Sequence, residues 1–354
     1  MQKYRKQIGL GLLLSLAIYG VILVLFDSQG QFTEGVGAAM QNFPWWTLGV
    51  IALAQTGTFL TRFLTWQYYM GVVGARDKFS RLDSAVIFIT GFVMVVSPGK
   101  AAEVLKAVMV KAKTGVPVAR IVPVILAERV NDGISVLILM AVTLILAGDS
   151  LALDPTTDAL SRTIIFGSTL LIGAGLLAIQ IRPLGMFALA LIARLPLLKR
   201  AHPWFCELYE SSREVFNLWH VALTMIFGIG TYAFTALVFV LILWAFGLSM
   251  TTALILQAAF IVGIGSAIGA LSFVPNGAGV TELSLAALMM AIIAPSHPEM
   301  TLGVAAAAAL LEGFFHKWYR VLVGLLVAFI FRGRLFTPSV EAGLTEVELK
   351  PEGA

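Results

Sequence analysis

The sequence predicts an all-α polytopic membrane protein, with about six full spans and two re-entrant broken-helix pairs arranged as an inverted repeat. Three observations carry this. The 354 residues are 59% hydrophobic and only 12% charged, about half the charge of a soluble domain. Apolar runs of membrane-crossing length recur along the chain, and the mean hydropathy is +0.91. Two of the runs are cut by Pro and Gly, at Ser97-Pro98-Gly99 and at Val274-Pro275-Asn276-Gly277.

The candidate spans are Ile8–Phe26, Trp46–Tyr69, Pro117–Ala147, Ile164–Ile181, Val221–Phe246 and Leu302–Phe331. At 1.5 Å per residue each can cross a hydrocarbon core of roughly 30 Å. The first follows Lys3, Arg5 and Lys6 and has no small-residue cleavage site after it, so it reads as an uncleaved helix. Two further segments bring the hydrophobic segments to eight. Ala85–Ser97 is short and stops at Pro98-Gly99. Leu254–Val274 is loosened by Gly263, Gly265 and Gly269 and stops at Pro275-Asn276-Gly277. Each is followed by a second short helical stretch, about Lys100–Lys113 and Gly279–Ala294, because Pro lacks a donor and Gly frees the backbone. The segment Arg182–Trp219 mixes charge with aromatic residues and reads as one or two cytoplasmic helices lying at the interface. The whole of 1–336 is one membrane domain, and the polar tail 337–354 is expected to be disordered.

Lys and Arg placement sets the topology. The N-terminus is cytoplasmic, and the loop Asp27–Trp45, with no Lys or Arg, is external. Arg76, Lys78 and Arg81 mark the next loop as cytoplasmic. If Ala85–Ser97 crossed fully, Lys106, Lys111, Lys113 and Arg120 would begin outside, so the pair is read as dipping in and returning. Asp149, Asp154 and Asp158 are then external, and Arg182, Arg194, Lys199, Arg200 and Arg213 are cytoplasmic. No Lys or Arg occurs from Glu214 to His316, which suits a second pair entering from outside. Arg332 and Arg334 return the C-terminus to the cytoplasm. Span, broken pair, span thus occurs twice with opposite orientation, over 46–147 and 221–331. Such inverted repeats build transporters. The alternative is that both breaks are kinks in full crossings.

Broken helices aim a helix N-terminus into the bilayer, where it favours an anion such as phosphate. Lys100 opens the first short helix, and Asn276, Gly277 and Gly279 form the second break. The freed backbone groups could equally be satisfied by neighbouring helices or water. Ionisable residues inside spans are costly and usually functional. They are Arg62, Glu103 on the first short helix, Glu282 on the second, and two clusters. Glu128 and Asp132 stand at i and i+4, and Arg129 can pair with Asp132 at i+3. Glu312, His316 and Arg320 recur every four residues and line one face of the last span, with Lys317 beside it. These are either neutralised pairs that hold the bundle or ligands for an anionic headgroup, with Arg129 the leading cation. Enzyme chemistry finds no support. The four His residues show no paired metal spacing, and no GxxxxGK[ST] or GxSxG is present. No cofactor or nucleic acid is implied, and the single Cys206 rules out an internal disulfide.

The stretch SPGKAAEVLKAVMVKAKTGVPVARIVPVILAERVNDG carries the Pro-Gly break, Glu103, the turn Thr114–Pro117, and Glu128, Arg129 and Asp132. It resembles the signature of the flippase-like membrane domain of lysylphosphatidylglycerol synthases. SFVPNGAGVTELSLAAL, with Gly279, Val280 and Glu282, resembles that family's second motif. The similarity spans about residues 8–332. It implies a lipid translocase that moves a phospholipid or polyprenyl-linked lipid between leaflets of a bacterial inner membrane. The partners it implies are an anionic or phosphate-bearing headgroup, the membrane, and a second copy of the chain or a partner enzyme. Two departures stand out. Glu312 and Arg320 occupy places where relatives read Arg and Pro, and no synthase domain follows Arg334, so lipid aminoacylation is not expected of this chain. A membrane adaptor for a lipid-modifying or glycosyltransferase enzyme is a second reading, with Arg182–Trp219 as its sensitive region. A small-solute or ion carrier on the same repeat is a third.

Overall fold

The computed structural model describes residues 31–94, 103–151, 153–195, 199–272, 274 and 277–335. The first span Ile8–Phe26, the break at Pro98-Gly99 with Lys100, Pro275, Asn276 and the tail 337–354 lie outside the described residues. The described chain is helical throughout. In order the helices are α1 (Gln31–Gln41), α2 (Thr47–Val72), α3 (Arg81–Met94), α4 (Glu103–Thr114) and α5 (Val118–Ala147). They continue with α6 (Pro155–Gln180), α7 (Arg182–Arg194), α8 (His202–Val215), α9 (Leu218–Ala245), α10 (Thr252–Leu271) and α11 (Val280–Leu288). The last span, α12 (Leu302–Ile330), is followed by the short α13 (Arg332–Leu335).

The long helices start at caps written in the sequence. Asp154 accepts from the backbone N–H of Thr156 and Thr157 ahead of α6, with Pro155 at the first helical position. The Thr157 hydroxyl and these amides hold the Asp154 carboxyl below the usual carboxylate range. Asn217, Thr251 and Thr301 cap α9, α10 and α12 in the same way. The turn Thr114–Pro117 is tight. Thr114 Oγ1 donates to Val110 O at 2.7 Å, Gly115 takes φ +72°, and Pro117 caps α5. A residue with a Cβ would be strained at Gly115.

Five helices are long and apolar enough to cross a membrane: α5, α6, α9, α10 and α12. α2 has 26 residues, also a membrane-crossing length, but carries more polar groups. α3 and α4 have 14 and 12 residues, so each is roughly 20 Å long and shorter than a crossing. α10, with 20 residues, reaches the length of a full crossing, unlike its counterpart α3.

The packing pairs come in matched sets. Let α2, α3, α4 and α5 correspond to α9, α10, α11 and α12. Then α5 packs on α10 as α12 packs on α3, and α5 on α9 as α12 on α2. α2 and α9 pack along one another. At their centre Thr61 Oγ1 meets Thr231 Oγ1 at 2.7 Å, two residues 170 apart. Thr65 and Thr235, both buried, repeat that separation. Two apolar cores follow, one around Phe239, Phe260 and Met140 and one around Trp66, Tyr69 and Ile121.

Three sequence expectations are corrected. The segment Asp27–Trp45, read as an external loop, contains a helix, α1, which packs on the first half of α12 where Gly35 and Gly303 bring the backbones together. The Glu312–His316–Arg320 ladder assumed a regular α-helix. A π-helical turn over Phe314–Tyr319 interrupts it and changes the faces. Lys106, read as a cytoplasmic marker, is only 7% exposed, because it lies in the stretch Leu105–Val110 of α4, all of it buried.

The interfacial segment forms two helices. α8 packs on α5, with Arg120 bonded to Glu214 at 3.1 Å and Ser211 Oγ donating to Arg120 O at 3.0 Å. α6 belongs to neither repeat and turns Phe166, Leu170 and Leu171 outward, as a lipid-facing helix does.

The seam between α5 and α9 depends on Gly228. A Cβ there would collide with Ser135 and Asn131. Gly228→Val is therefore expected to destabilise the fold by roughly 1–3 kcal/mol. The check is the thermal unfolding midpoint in detergent. An unchanged midpoint would mean that the two helices have slack there.

Candidate functional site

Two buried ion pairs occupy equivalent joints, with opposite polarity. In the first repeat Lys106 Nζ on α4 meets Glu128 Oε2 on α5 at 2.9 Å. In the second, Glu282 Oε1 on α11 meets Lys317 Nζ on α12 at 2.9 Å, with both side chains 4% exposed. The short helix supplies the cation in one joint and the carboxylate in the other. Lys106 also sits over the Trp66 ring, 3.8 Å from its centroid, and 5.0 Å from that of Phe88.

The second joint engages two backbone groups of its break. Glu282 Oε2 accepts from Gly279 N at 2.8 Å, and Lys317 Nζ donates to Gly277 O at 3.3 Å. Gly277 and Gly279 have φ +59° and +82°, the left-handed turn that brings this carbonyl and amide to the pair. Gly313 on α12 leaves room for the Glu282 carboxylate, which a Cβ there would strike. So Gly277, Gly279 and Glu282 are brought together, with their polar groups engaged by each other and by Lys317.

Arginines converge at the seam between the repeats. Arg62 Nη1 on α2 bonds Asp132 Oδ2 at 2.7 Å. Arg129 reaches the same oxygen at 3.5 Å, the i+3 pairing that the sequence suggests. Arg320 on α12 lies within electrostatic range of Arg62, Arg129, Asp132 and Tyr232. It makes no ion pair among the described residues, and its Nε has no hydrogen-bond partner there. Three guanidinium groups from three helices thus lie within electrostatic range of Asp132, and Arg62 lies within range of Glu128 as well.

A cavity opens beside them. Its walls include Arg62 and Thr65 of α2, Phe88 of α3, Lys106 of α4, Glu128, Arg129 and Asp132 of α5, and Thr231 of α9. The free room is about 30 Å³. That is room for a water or two.

Glu312 and His316 lie on α12 between Lys317 and Arg320. Glu312 Oε1 and His316 Nδ1 are 3.6 Å apart. Glu312 and Glu128 each stand ten residues into their helices, so the two long helices bring a carboxylate to the same depth. Glu103 begins α4, but its side chain lies outside the described residues, as do Lys100 and Asn276 altogether.

Sequence reasoning placed Glu128, Arg129 and Asp132 together, and the structure does so. It set Arg62 apart without its partner, which lies 70 residues away on another helix. It named Lys106 only as a topology marker and Lys317 only as a neighbour of the Glu312 ladder, and gave neither a place in the site. The available signal for Lys106 was the run Ala107-Val108-Met109-Val110 beside it, all buried, which leaves no aqueous face for a charge. For Lys317 it was a lysine at the fifth residue after Glu312, the spacing of a π turn.

Membrane-length helices that bury charged groups define a membrane protein with an ionic interior. The model of the lysylphosphatidylglycerol synthase TM region matches residues 10–324, and the chain belongs to that family. The family's name ties the chain to lipid handling in the membrane. No curated protein and no solved structure matches it.

Proposed function

We propose that this protein moves an anionic, phosphate-bearing lipid between the leaflets of a bacterial inner membrane. The observation that carries the reading is the set of Arg62, Arg129 and Arg320 gathered from α2, α5 and α12 around Asp132. A cation with no counter-ion inside a membrane bundle is expensive unless an anion visits it. Planar guanidinium groups match phosphate oxygens two at a time. Asp132 holds Arg62 and Arg129 in place while the site is empty, and a phosphate group would compete with it. The headgroup would pass through the seam while its acyl chains stay in the surrounding lipid.

The matched packing of two four-helix units supports alternating access, in which one repeat rocks against the other about a central site. Lys and Arg placement favours cytoplasmic N- and C-termini, with repeats of opposite orientation. In this reading α3 and α4 dip from the cytoplasmic side, and α10 and α11 form the counterpart from outside.

The test is translocation of fluorescent phosphatidylglycerol by the purified protein in liposomes. Arg320→Gln and Arg62→Gln are each expected to slow it about tenfold or more, the value of one charged hydrogen-bonding partner. If both variants move lipid as fast as the parent at equal protein content, the arginine seam is not the path. Loss of function confined to substitutions in α7 and α8 would favour an adaptor that holds another enzyme.

A further inference from the structure

Glu312 is 3% exposed, on a helix long and apolar enough to cross a membrane. Its Oε2 has no hydrogen-bond partner, and neither does Nδ1 of His316. The two groups face each other at 3.6 Å, across the point where α12 enters its π turn. Every other charged pair in this half of the site is complete, since Lys317 is bonded to Glu282 and to Gly277 O. A carboxylate with an empty oxygen beside an imidazole with an empty nitrogen is a costly pair to bury bare. With the ring hydrogen on Nε2, one further proton on either group turns their contact into a hydrogen bond.

We infer that Glu312 and His316 form a proton-binding site coupled to the anion held at Arg320. The inference deepens the translocase reading and rests on it, naming the proton as the co-transported ion.

The coupling follows from charge and position. Around Glu312 stand His316, Lys317 and Arg320 from its own helix and Glu282 from α11. Arg62 of α2 reaches His316, and Tyr232 of α9 faces Arg320 and Asp132. The packed helix α1 carries Glu34, whose side chain lies outside the described residues. Within this set Lys317 is balanced by Glu282 and Arg62 by Asp132. Lys317 and Arg320 both act on Glu312, and of the two Arg320 is the cation with no ion pair among the described residues. When an anionic headgroup occupies Arg320, that balance is withdrawn and a proton on Glu312 or His316 replaces it. When the headgroup leaves, Arg320 again offsets the carboxylate and the proton departs. Proton and anion therefore raise each other's affinity by the same factor. They load together on one side and unload together on the other. No reactant is consumed, because the proton comes from one aqueous phase and goes to the other.

The experiment uses the full chain in phosphatidylcholine vesicles with a trace of fluorescent phosphatidylglycerol. Translocation is followed with and without an imposed pH gradient, and lumenal pH is read with a trapped dye. The expected result for the parent is a rate about fivefold or more higher from the acid side, with protons moving alongside lipid. Glu312→Gln is expected to give the same rate with and without the gradient, whatever that rate is. A second measurement needs no transport. The infrared spectrum of the purified protein should contain a protonated-carboxyl band, shifted in D₂O, that Glu312→Gln removes and His316→Gln displaces. Lipid movement in the parent that ignores the gradient overturns the inference and leaves the translocase reading standing. A gradient response retained by Glu312→Gln overturns it as well. If the parent moves no lipid at all, the translocase reading fails, and a missing Glu312 band then removes the proton site too.

Discussion

Lys317→Met is expected to cost the folded protein about 3–5 kcal/mol, the price of a buried ion left without its partner. Glu282 would keep one hydrogen bond, from Gly279 N, but lose the cation at 2.9 Å. The Gly277 carbonyl would lose its Lys317 donor as well. The pair holds Gly277 and Gly279 just ahead of α11, so local loosening there should accompany the loss. Glu282→Gln in the Lys317→Met background removes the stranded charge and keeps an acceptor for Gly279 N. That double variant is expected to regain most of the stability. Thermal unfolding in detergent of the parent, both single variants and the double variant forms a closed cycle. If the two single losses simply add in the double variant, the pair is not a coupled unit.

The equivalent joint in the first repeat should answer differently to charge exchange. Lys106→Glu sets two carboxylates against each other at the Glu128 position and is expected to be as damaging as Lys317→Met. Reversing the partner too, as Lys106→Glu with Glu128→Lys, restores opposite charges. It does not restore the native state, because Trp66 and Phe88 present the faces of their rings to the cation at residue 106. An aromatic face attracts a cation and repels an anion. The reversed pair is therefore expected to remain below the parent by about 1–2 kcal/mol, the value of a desolvated cation–π contact. Full recovery in the same unfolding measurement would mean that the rings only fill space. The two joints carry opposite polarity, and in the first the aromatic cage fixes which polarity is allowed.

Much of the architecture is legible in the sequence because a bilayer leaves few options. Apolar length marks α5, α6, α9 and α12, and Asp154-Pro155, Asn217, Thr251 and Thr301 mark where helices begin. The short helices α4 and α11 after the two Pro-Gly positions are also readable, and in the structure α5 packs on α10 and α12 on α3. What escaped was set by tertiary contacts. A lysine in an amphipathic-looking stretch reads as an aqueous charge, yet Lys106 lies over Trp66, a residue 40 positions away. The π turn at Phe314–Tyr319 has no proline or glycine inside it to announce it, and it turns Lys317 inward toward Glu282. Helix α1 was hidden because its residues Gln31–Gln41 are too short and too polar to read as a span. Within the site, Glu128, Arg129 and Asp132 were legible because their spacing is local. Arg320 drew notice as an intramembrane charge, but its nearness to Arg62 depends on how two repeats meet.

The most direct measurement compares the rates at which the reconstituted protein equilibrates fluorescent phosphatidylglycerol and phosphatidylcholine across vesicles of one composition. Three arginines around Asp132 predict that the anionic lipid moves faster, and that Arg320→Gln narrows the difference. Equal rates for the two lipids, or rates no higher than in protein-free vesicles, would contradict it.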